Sequence, residues 1–410
     1  MTTNMENSIS IQQTKQTTSW RPRGFIQWLL TIVAGIALPL FSMMAYYIFY
    51  PSNLFNVTSL LAFFSLIQPT FLLITTLIMI GLFILAFWKR ALIARVILIP
   101  LVLLLIFLNI YPVTSLLSYA KSENVPVSIG SHFSFAGKVS SEPLKDVVYG
   151  KTADGTELKL SVWLAKRQPE GTLAPAVVKV HGGGWVEGDQ DNNPYWNQWL
   201  NELGYTVFDM QYRMPPQAGW KDEVGDVKSA LGWVLQHADT YKIDPKKINV
   251  MGDSAGGNLV MLAAYSMGSK ELPPSTDVPE VPVNAVVNLY GPADMGIFYT
   301  NNRSHSYVEN VLEQYIGGTP SEYPDRYQIL SPITYIQKNS PPTISFIGRK
   351  DRIVTEKQIE ILDKKLSQHG AAHEFYFLPA SDHVFDAQPG SLGTQIARAK
   401  VKAFLQKYNS

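Results

Sequence analysis

The sequence predicts an α/β domain, with a mostly parallel sheet covered by helices on both faces, preceded by an all-α membrane region of about three transmembrane helices. Two observations support this fold class. Charged side chains are absent from residues 24–88 and again from 96–120, whereas almost all charge lies beyond residue 121. Beyond residue 143, short apolar runs alternate with helix-like runs, which is typical of β–α units in a parallel sheet.

The same shifts in composition divide the chain into four parts. Residues 1–24 are polar and rich in Thr, Gln, Ser and Asn, which predicts a disordered tail. Residues 25–120 are expected to hold the three transmembrane helices. Residues 121–143 are rich in Ser and Gly and are interpreted as a linker. The α/β domain is predicted over residues 144–410.

Three apolar stretches are long enough to cross about 30 Å of hydrocarbon, at residues 25–50, 70–88 and 96–119. The apolar stretch at residues 57–67 is too short to do so. A cleaved signal peptide is an alternative for the first stretch, but the stretch is too long and two more follow it. Buried core helices are a second alternative, and three successive charge-free stretches argue against it.

Basic residues flank the predicted spans unequally. They precede the first span and separate the second from the third, at Lys15, Arg21, Arg23, Lys89, Arg90 and Arg95. The loop between the first two spans has no basic residue, and only Lys121 closely follows the third. The positive-inside rule then predicts a cytoplasmic N-terminus and, after an odd number of spans, an integral membrane protein with its C-terminal domain on the non-cytoplasmic face.

Strands and helices alternate along the C-terminal part. Residues 146–150 and 157–164 are expected to form a hairpin around Asp154-Gly155. Further strands are predicted at 176–180, 205–210, 248–251, 285–290, 343–347 and 374–378. Helices are predicted at 199–203, 221–240, 257–264, 355–369 and 394–408. Ligands in such sheets lie at the C-terminal ends of the strands, so the loops that follow strands are the expected site.

The most informative motif is Gly252-Asp253-Ser254-Ala255-Gly256, which stands between a predicted strand and a predicted helix. That context is the one required for a nucleophile elbow, with the serine exposed at the tip of a sharp turn. Glycine is needed beside the serine because a Cβ would clash there. The helix N-terminus offers free N–H groups to a developing negative charge. The alternative is an ordinary Gly/Ser turn.

A serine hydroxyl needs a base within hydrogen-bond reach, and a carboxylate must orient that base. Where a nucleophile elbow carries the serine, the acid and then the histidine follow along the chain. The histidines after the serine are His305, His369, His373 and His383. His383 is the predicted base, because it follows a strand at the edge that carries the serine. His369 and His373 belong at the opposite edge, and His305 lies in a polar insertion.

Asp351 is the predicted acid, because it follows the strand at residues 343–347. Its alternative role is that of an exposed aspartate paired with Lys350 or Arg352. Asp382 competes for the position of the acid, but a residue adjacent to the predicted base points its side chain in a different direction. The aspartate at position 294 is a weaker candidate still.

A run of glycines follows the predicted strand at residues 176–180, in His181-Gly182-Gly183-Gly184-Trp185. Consecutive glycines let the main chain approach a substrate closely and direct N–H groups at one point. Such a loop and the residue after the nucleophile together supply an oxyanion hole. A phosphate-binding loop is the rival reading, yet the sequence G-x-x-x-x-G-K-[ST] is absent and no helix follows at once.

Composition excludes several classes of function. The formal net charge is +1 and no long basic run occurs, so no nucleic-acid partner is expected. Cysteine is absent, which excludes disulfides, thiolate metal sites and cysteine nucleophiles. No pair of histidines has the spacing of a zinc hydrolase, so neither a metal nor a cofactor is predicted.

Together these motifs resemble the α/β-hydrolase superfamily and, within it, the hormone-sensitive-lipase-like carboxylesterases. The resemblance covers roughly residues 144–410, which makes this part an α/β-hydrolase catalytic domain. The matching positions are residues 181–185, Tyr212-Arg213, residues 252–259, Asp351 and His383. The resemblance implies a nucleophile, a base that later acts as acid, an orienting acid and three oxyanion donors: Ser254, His383, Asp351, Gly183, Gly184 and Ala255.

A carboxylic ester is the favoured substrate, either a small molecule or, as the predicted membrane spans suggest, a lipid-like ester. Members of this branch commonly carry a helical cap built partly from N-terminal residues. Here that region is apolar, so any lid is expected from residues 268–282 or 295–331. An acyltransferase with the same triad and an inactive hydrolase-fold binding module remain alternatives, and the sequence predicts no oligomeric state.

Overall fold

The computed structural model describes residues 20–53, 56–135, 137–168 and 171–410. Residues 1–19, most of the tail predicted to be disordered, lie outside these ranges. The described chain consists of a helical N-terminal region followed by an α/β domain with a mixed, mostly parallel sheet. The fold class predicted from the sequence is therefore confirmed.

Four helices make up the N-terminal region: α1 (Phe25–Phe49), α2 (Val57–Ile67), α3 (Pro69–Trp88) and α4 (Leu92–Ser122). By length and composition α1, α3 and α4 are each long and apolar enough to cross a membrane, whereas α2 is shorter. Helix α4 extends beyond the predicted span at both ends. It begins within the basic segment after α3, because leucine, alanine and arginine there all favour helix.

The three long helices pack side by side, with α1 and α4 running in the same direction and α3 opposite to them. At one end, the Gln27 side chain at the start of α1 donates to the Lys89 carbonyl just after α3 (2.7 Å). At the other end, the Phe49 ring at the end of α1 stacks against Phe107 and Tyr111 of α4. The end of α1, the end of α4 and the start of α3 therefore share one side.

The α/β domain is built on one eight-stranded sheet of order β1-β2-β4-β3-β5-β6-β7-β8. The strands are β1 (Leu144–Lys151), β2 (Glu157–Trp163), β3 (Ala174–Val180), β4 (Thr206–Met210), β5 (Ile243–Asp253), β6 (Val286–Leu289), β7 (Thr343–Gly348) and β8 (His373–Leu378). The predicted β1–β2 hairpin is antiparallel, and β2 also pairs antiparallel with β4. From β4 to β8 all pairs are parallel, so these strands end at one edge.

Ten α-helices follow the N-terminal region. They are α5 (Ile129–His132), α6 (Pro194–Glu202), α7 (Asp222–Gln236), α8 (Ala238–Tyr241), α9 (Ala255–Tyr265), α10 (Met295–Thr300), α11 (His305–Ile316), α12 (Pro324–Ile329), α13 (Lys357–His369) and α14 (Leu392–Tyr408). The helix predicted over residues 221–240 is two helices, α7 and α8, with a break at His237. The predicted helices do not include α10 and α12, because helices of six residues carry little periodic signal. They also omit α11, although this helix has apolar residues at helical spacing, at Val308, Val311, Leu312, Tyr315 and Ile316.

The segment interpreted as a linker packs against the α/β domain. His132 in α5 is buried, and its carbonyl accepts a hydrogen bond from the Gln388 side chain (2.8 Å). Burial lowers the pKa of His132 to about 4, so the ring is neutral at pH 7. Its Nδ1 therefore accepts the Leu392 N–H at the start of α14 (3.1 Å). These contacts tie the chain between α4 and β1 to the last helix of the domain.

The turn between β5 and α9 consists of Ser254 alone. Its backbone adopts φ 51° and ψ −118°, a conformation that costs a non-glycine residue about 1–3 kcal/mol. The glycines around it allow a close approach between main chains. A Cβ on Gly256 would lie 2.2 Å from the Val180 carbonyl oxygen at the end of β3, and one on Gly252 would lie 2.2 Å from the Gly256 carbonyl oxygen. The serine is thereby held at the C-terminal edge of the sheet.

We predict that Gly256→Ala destabilises the domain by about 1–3 kcal/mol or more, because the added methyl group must displace main-chain atoms of β3. Thermal unfolding of the purified protein, followed by circular dichroism, measures this change. Gly296→Ala in α10 is the matched control, since its Cβ would meet only the Asp294 carboxylate at 3.6 Å. Equal unfolding temperatures for the two variants would contradict the packing described here.

Candidate active site

The structure brings together the three residues that the sequence predicted at the ends of β5, β7 and β8. His383 Nε2 lies 2.9 Å from Ser254 Oγ, and His383 Nδ1 lies 2.8 Å from Asp351 Oδ2. Both distances are hydrogen-bond distances, and the two contacts use opposite sides of the imidazole ring. This is the arrangement that links a nucleophile, a base and an orienting acid.

The other candidate histidines lie elsewhere. His369 ends α13, where its Nδ1 lies 2.9 Å from the Lys365 carbonyl oxygen. His373 begins β8, at the opposite edge of the sheet, and its Nε2 lies 3.1 Å from Asp363. His305 begins α11. The sheet therefore separates His369 and His373 from the serine, as expected, whereas His305 lies on a helix outside the sheet.

The Asp351 carboxylate is held rigidly. The side chain is buried, and its Oδ1 accepts hydrogen bonds from the backbone N–H groups of Ile353 (2.9 Å) and Val354 (2.8 Å). Its main-chain carbonyl accepts a further bond from the Arg303 side chain. With Oδ1 occupied in this way, Oδ2 remains directed at His383.

Asp382, the competing acid, has a different set of contacts. Its Oδ1 accepts the backbone N–H groups of His383 (2.8 Å) and Arg352 (3.1 Å), and its Oδ2 accepts Arg352 Nε (2.7 Å). The Arg352 guanidinium therefore pairs with Asp382. This contact takes the place of the alternative ion pair between Arg352 and Asp351. Asp382 joins the loop after β7 to the loop after β8. The third candidate, Asp294, caps the N-terminus of α10.

Carboxylates surround the imidazole of His383. Burial alone would lower the pKa of His383, but the charge and hydrogen bond of Asp351, together with the charges of Asp382 and Asp253, raise it above its ordinary value. The environment therefore favours the protonated ring. An imidazolium that forms when the histidine takes up a proton is stabilised in place.

The sequence did not indicate the residues that support the base from its other side. The Tyr290 ring packs edge-on against the His383 ring, with centroids 4.7 Å apart, and its hydroxyl donates to Asp386 (2.5 Å). Asp386 also accepts hydrogen bonds from Trp196 Nε1 (2.7 Å) and Asn193 Nδ2 (3.2 Å). These side chains come from distant loops, so only the folded chain reveals the group.

The glycine loop after β3 lies directly against the nucleophile elbow. The Gly182 N–H donates to Asp253 Oδ2 (3.2 Å), and a Cβ on Gly182 would lie 3.1 Å from the Cβ of Ser254. Gly183 and Gly184 have φ angles of 124° and 60°, values that favour glycine. Asp253, a residue for which the sequence suggested no role, therefore joins the two halves of the expected oxyanion hole. The donor role of the glycine N–H groups stays a prediction.

His181 anchors the start of this loop. Its ring stacks on Tyr212 with centroids 4.3 Å apart, and the Tyr212 hydroxyl donates to the His181 carbonyl (3.2 Å). Burial lowers the pKa of His181 to about 4, so the ring is neutral at pH 7. This histidine packs beneath the glycines and does not contact Ser254 through any recorded hydrogen bond of the described residues.

Helices α10 to α12, within residues 295–331, form a cover on the side of the glycine loop. A Cβ on Gly184 would lie 3.1 Å from the Tyr307 hydroxyl and 3.2 Å from Val311 Cγ1, both on α11. Of the two segments expected to supply a lid, this one reaches the site. The other, residues 268–282, packs against α7 instead.

Comparison with known proteins places the chain in a family. The BD-FAE family matches residues 160–366, about half of the chain. The esterase LipQ of Mycobacterium tuberculosis is 30% identical over 282 residues, which cover 67% of this chain and 64% of LipQ. LipM of the same organism, a probable carboxylic ester hydrolase, is 31% identical over 248 residues, covering 59% of this chain and 56% of LipM. The chain thus spans less than two thirds of these relatives.

Hormone-sensitive lipase of Mus musculus is 36% identical over 96 residues, covering 22% of this chain and 13% of the lipase. Among solved structures, a truncated carbohydrate esterase from gut microbiota superposes with a TM-score of 0.57 at 24% identity, over 68% of this chain and all of that one. Esterase 2 of Thermogutta terrifontis superposes with a TM-score of 0.52 at 23% identity, over 65% of this chain and 92% of that esterase. These structures share the fold. The chain belongs to the BD-FAE family and is an α/β-hydrolase of the hormone-sensitive-lipase-like branch.

Proposed function

We propose that this protein is a membrane-anchored serine hydrolase that cleaves carboxylic esters through an acyl-enzyme on Ser254. The observation that carries the proposal is the pair of hydrogen bonds that connects Ser254 to His383 and His383 to Asp351. The glycine loop beside it supplies main-chain donors for the charge that an attacked carbonyl develops. The names of the related esterases support an ester as the bond that is broken.

In the first half of the proposed reaction, Ser254 Oγ attacks the carbonyl carbon of the ester while His383 Nε2 takes the hydroxyl proton. Asp351 keeps its hydrogen bond to Nδ1–H and stabilises the imidazolium. The carbon–oxygen bond to the alcohol then breaks, and the imidazolium gives its proton to the leaving oxygen. The acyl group remains on the serine.

The carbonyl oxygen carries negative charge in both tetrahedral intermediates. In this proposal it accepts hydrogen bonds from the N–H groups of Gly183, Gly184 and Ala255, the last of which begins α9. Loss of one such donor typically costs about 3 kcal/mol of transition-state stabilisation. In the second half of the reaction His383 takes a proton from water, and the water oxygen attacks the acyl carbon. The bond between the acyl carbon and Ser254 Oγ then breaks, the imidazolium returns its proton to Oγ, and the acid is released.

The membrane part of the proposal rests on α1, α3 and α4. Large apolar side chains on their outer faces remain exposed in the folded chain, among them Ile32, Ile36, Leu103 and Phe107. Hydrocarbon is the environment that matches such faces, because a helix satisfies most of its main-chain polar groups internally. We infer that residues 25–120 lie in the membrane and that residues 121–143 connect them to the catalytic domain, residues 144–410.

The packing of these helices agrees with the predicted orientation. The end of α4 and the α1–α2 connection lie on the side of the catalytic domain, whereas the basic turn between α3 and α4 lies at the other end. If the basic turn between α3 and α4 faces the cytoplasm, the catalytic domain lies on the non-cytoplasmic face.

The nucleophile is tested by Ser254→Ala. We expect loss of covalent labelling by a fluorophosphonate and a decrease in kcat for a short-chain ester of roughly 10⁴-fold to 10⁶-fold, because no other hydroxyl replaces Oγ. Ser266→Ala at the end of α9 is the matched control and should keep both signals. Equal labelling of the Ser254→Ala variant would end the serine-hydrolase assignment.

The base is tested by the pH dependence of kcat/KM. Because His383 must be neutral to accept the serine proton and its pKa is raised, activity should fall as the pH drops through a value above the ordinary histidine pKa of 6.5. Asp351→Asn removes the charge that raises this pKa. The acidic limb should then move to lower pH while kcat falls by about 10⁴-fold. An unmoved acidic limb in that variant would contradict the assignment.

The orientation is tested by cysteine accessibility, which suits a chain without native cysteine. In the Asn339→Cys variant the thiol is on an exposed turn of the catalytic domain, and in Lys89→Cys it lies between α3 and α4. A membrane-impermeant maleimide should label the first variant in intact cells and the second only after permeabilisation. The reverse pattern would place the catalytic domain in the cytoplasm.

A further inference from the structure

Arg352, next to the acid Asp351, reaches out of the catalytic domain to the N-terminal helices. Its side chain is completely buried. Nη1 donates to both the main-chain carbonyl and the side-chain hydroxyl of Ser59 in α2, the latter at 2.8 Å. The guanidinium also lies 5.5 Å from the centre of the Phe63 ring, one turn further along α2. Helix α2 therefore covers this charge and accepts two of its hydrogen bonds.

On the side away from α2, the Arg352 guanidinium contacts the loop that carries His383. Nε donates to Asp382 Oδ2 (2.7 Å), while Asp382 Oδ1 accepts the backbone N–H of His383 (2.8 Å). The Lys350 N–H donates to the Ser381 carbonyl beside this contact (2.9 Å). The loop that carries the acid and the loop that carries the base are thus joined through one buried carboxylate.

Two further contacts lie at the corner between α1 and α2. Lys350 Nζ donates to the Phe49 carbonyl at the end of α1 (2.9 Å). The Asn53 side chain lies 3.4 Å from Ser306 Oγ in the first turn of α11, the helix that covers the glycine loop. The N-terminal region therefore touches both the acid loop and the cover of the site.

A buried guanidinium is costly unless its donors are satisfied and its charge is paired. Ser59 satisfies donors that Asp382 does not reach, and α2 keeps water away from the ion pair. A lower local dielectric strengthens the attraction between Arg352 and Asp382. If α2 were withdrawn, water would hydrate the guanidinium and loosen its hold on the loop of the base.

We propose that α2 is a part of the active site, in which Ser59 fixes the positioning residue Arg352 and, through Asp382, sets the distance between Asp351 and His383. The helical region then does more than anchor the enzyme, because it determines how well the acid orients the base. This inference rests on the proposed serine-hydrolase function and adds a role for the N-terminal region to it.

A double-mutant cycle on the full-length protein tests the proposal, with Ser59→Ala, Asp382→Asn and the variant that combines them. Each single change should lower kcat about three- to tenfold, as expected for the net loss of one hydrogen bond, with KM within about twofold. Because Ser59 acts through Arg352 and then Asp382, the combined variant should be no slower than the slower single variant. Titration of the active sites with a fluorophosphonate measures the fraction of folded, reactive enzyme in each preparation, and kcat is calculated from that fraction.

Ser65→Ala is the matched control. Ser65 is a second buried serine on α2, and its hydroxyl donates to the Leu61 carbonyl within the helix (2.7 Å), so no contact with the catalytic domain is lost. This variant should keep the wild-type kcat. A merely structural effect of altering α2 would lower the competent fraction in both serine variants, without a specific decrease in kcat for Ser59→Ala.

Three outcomes would overturn the proposal. A Ser59→Ala variant with the kcat of the Ser65→Ala variant would show that α2 serves as an anchor alone. If the fold decrease in kcat of the combined variant equals the product of the fold decreases of Ser59→Ala and Asp382→Asn, the two residues act independently. A wild-type protein that neither hydrolyses esters nor is labelled at Ser254 would overturn the proposed function as well. The first two outcomes would overturn only the role of α2, so the two kinds of failure are distinguishable.

Discussion

The close approach of the nucleophile elbow to the end of β3 is the constraint on which the rest of the site depends. Gly256 lies against the Val180 carbonyl with no space for a Cβ, and Ser254 occupies a strained conformation in the single-residue turn. The cost of that strain is offset by a parallel sheet that fixes both flanking elements. The same contact brings the glycine loop beside the serine, so the packing of the elbow against β3 positions both Ser254 and this loop.

Local backbone requirements explain what could be predicted from the sequence. The elbow and the glycine loop need particular residues at adjacent positions, so their places in the sheet follow from the motif, and the strand order then brings Asp351 and His383 to the same edge. Helices as short as α10 and α12, with six residues each, have no comparable signal. Contacts between distant positions, such as Tyr290 with Asp386, leave no periodic pattern and appear only when the chain is folded.

The charges of the site form one connected system. Asp351 contacts the His383 ring and Asp382 contacts the His383 main chain, while Arg352 balances the second carboxylate from a position covered by α2. Removing two carboxylates from water without a cation nearby would be costly. The helical region supplies the cover under which this cation remains buried, which links the two parts of the chain energetically as well as spatially.

We propose that an acyl group passes through Ser254, and the mass of the trapped intermediate tests this step most directly. The enzyme is mixed with a slowly hydrolysed ester, quenched in acid and digested, and the peptide masses are measured. The account predicts that the peptide containing Ser254 gains the mass of the acyl group and loses it again as the acid product appears. An acyl group on a different residue, or steady hydrolysis with no modified peptide at any time, would contradict it.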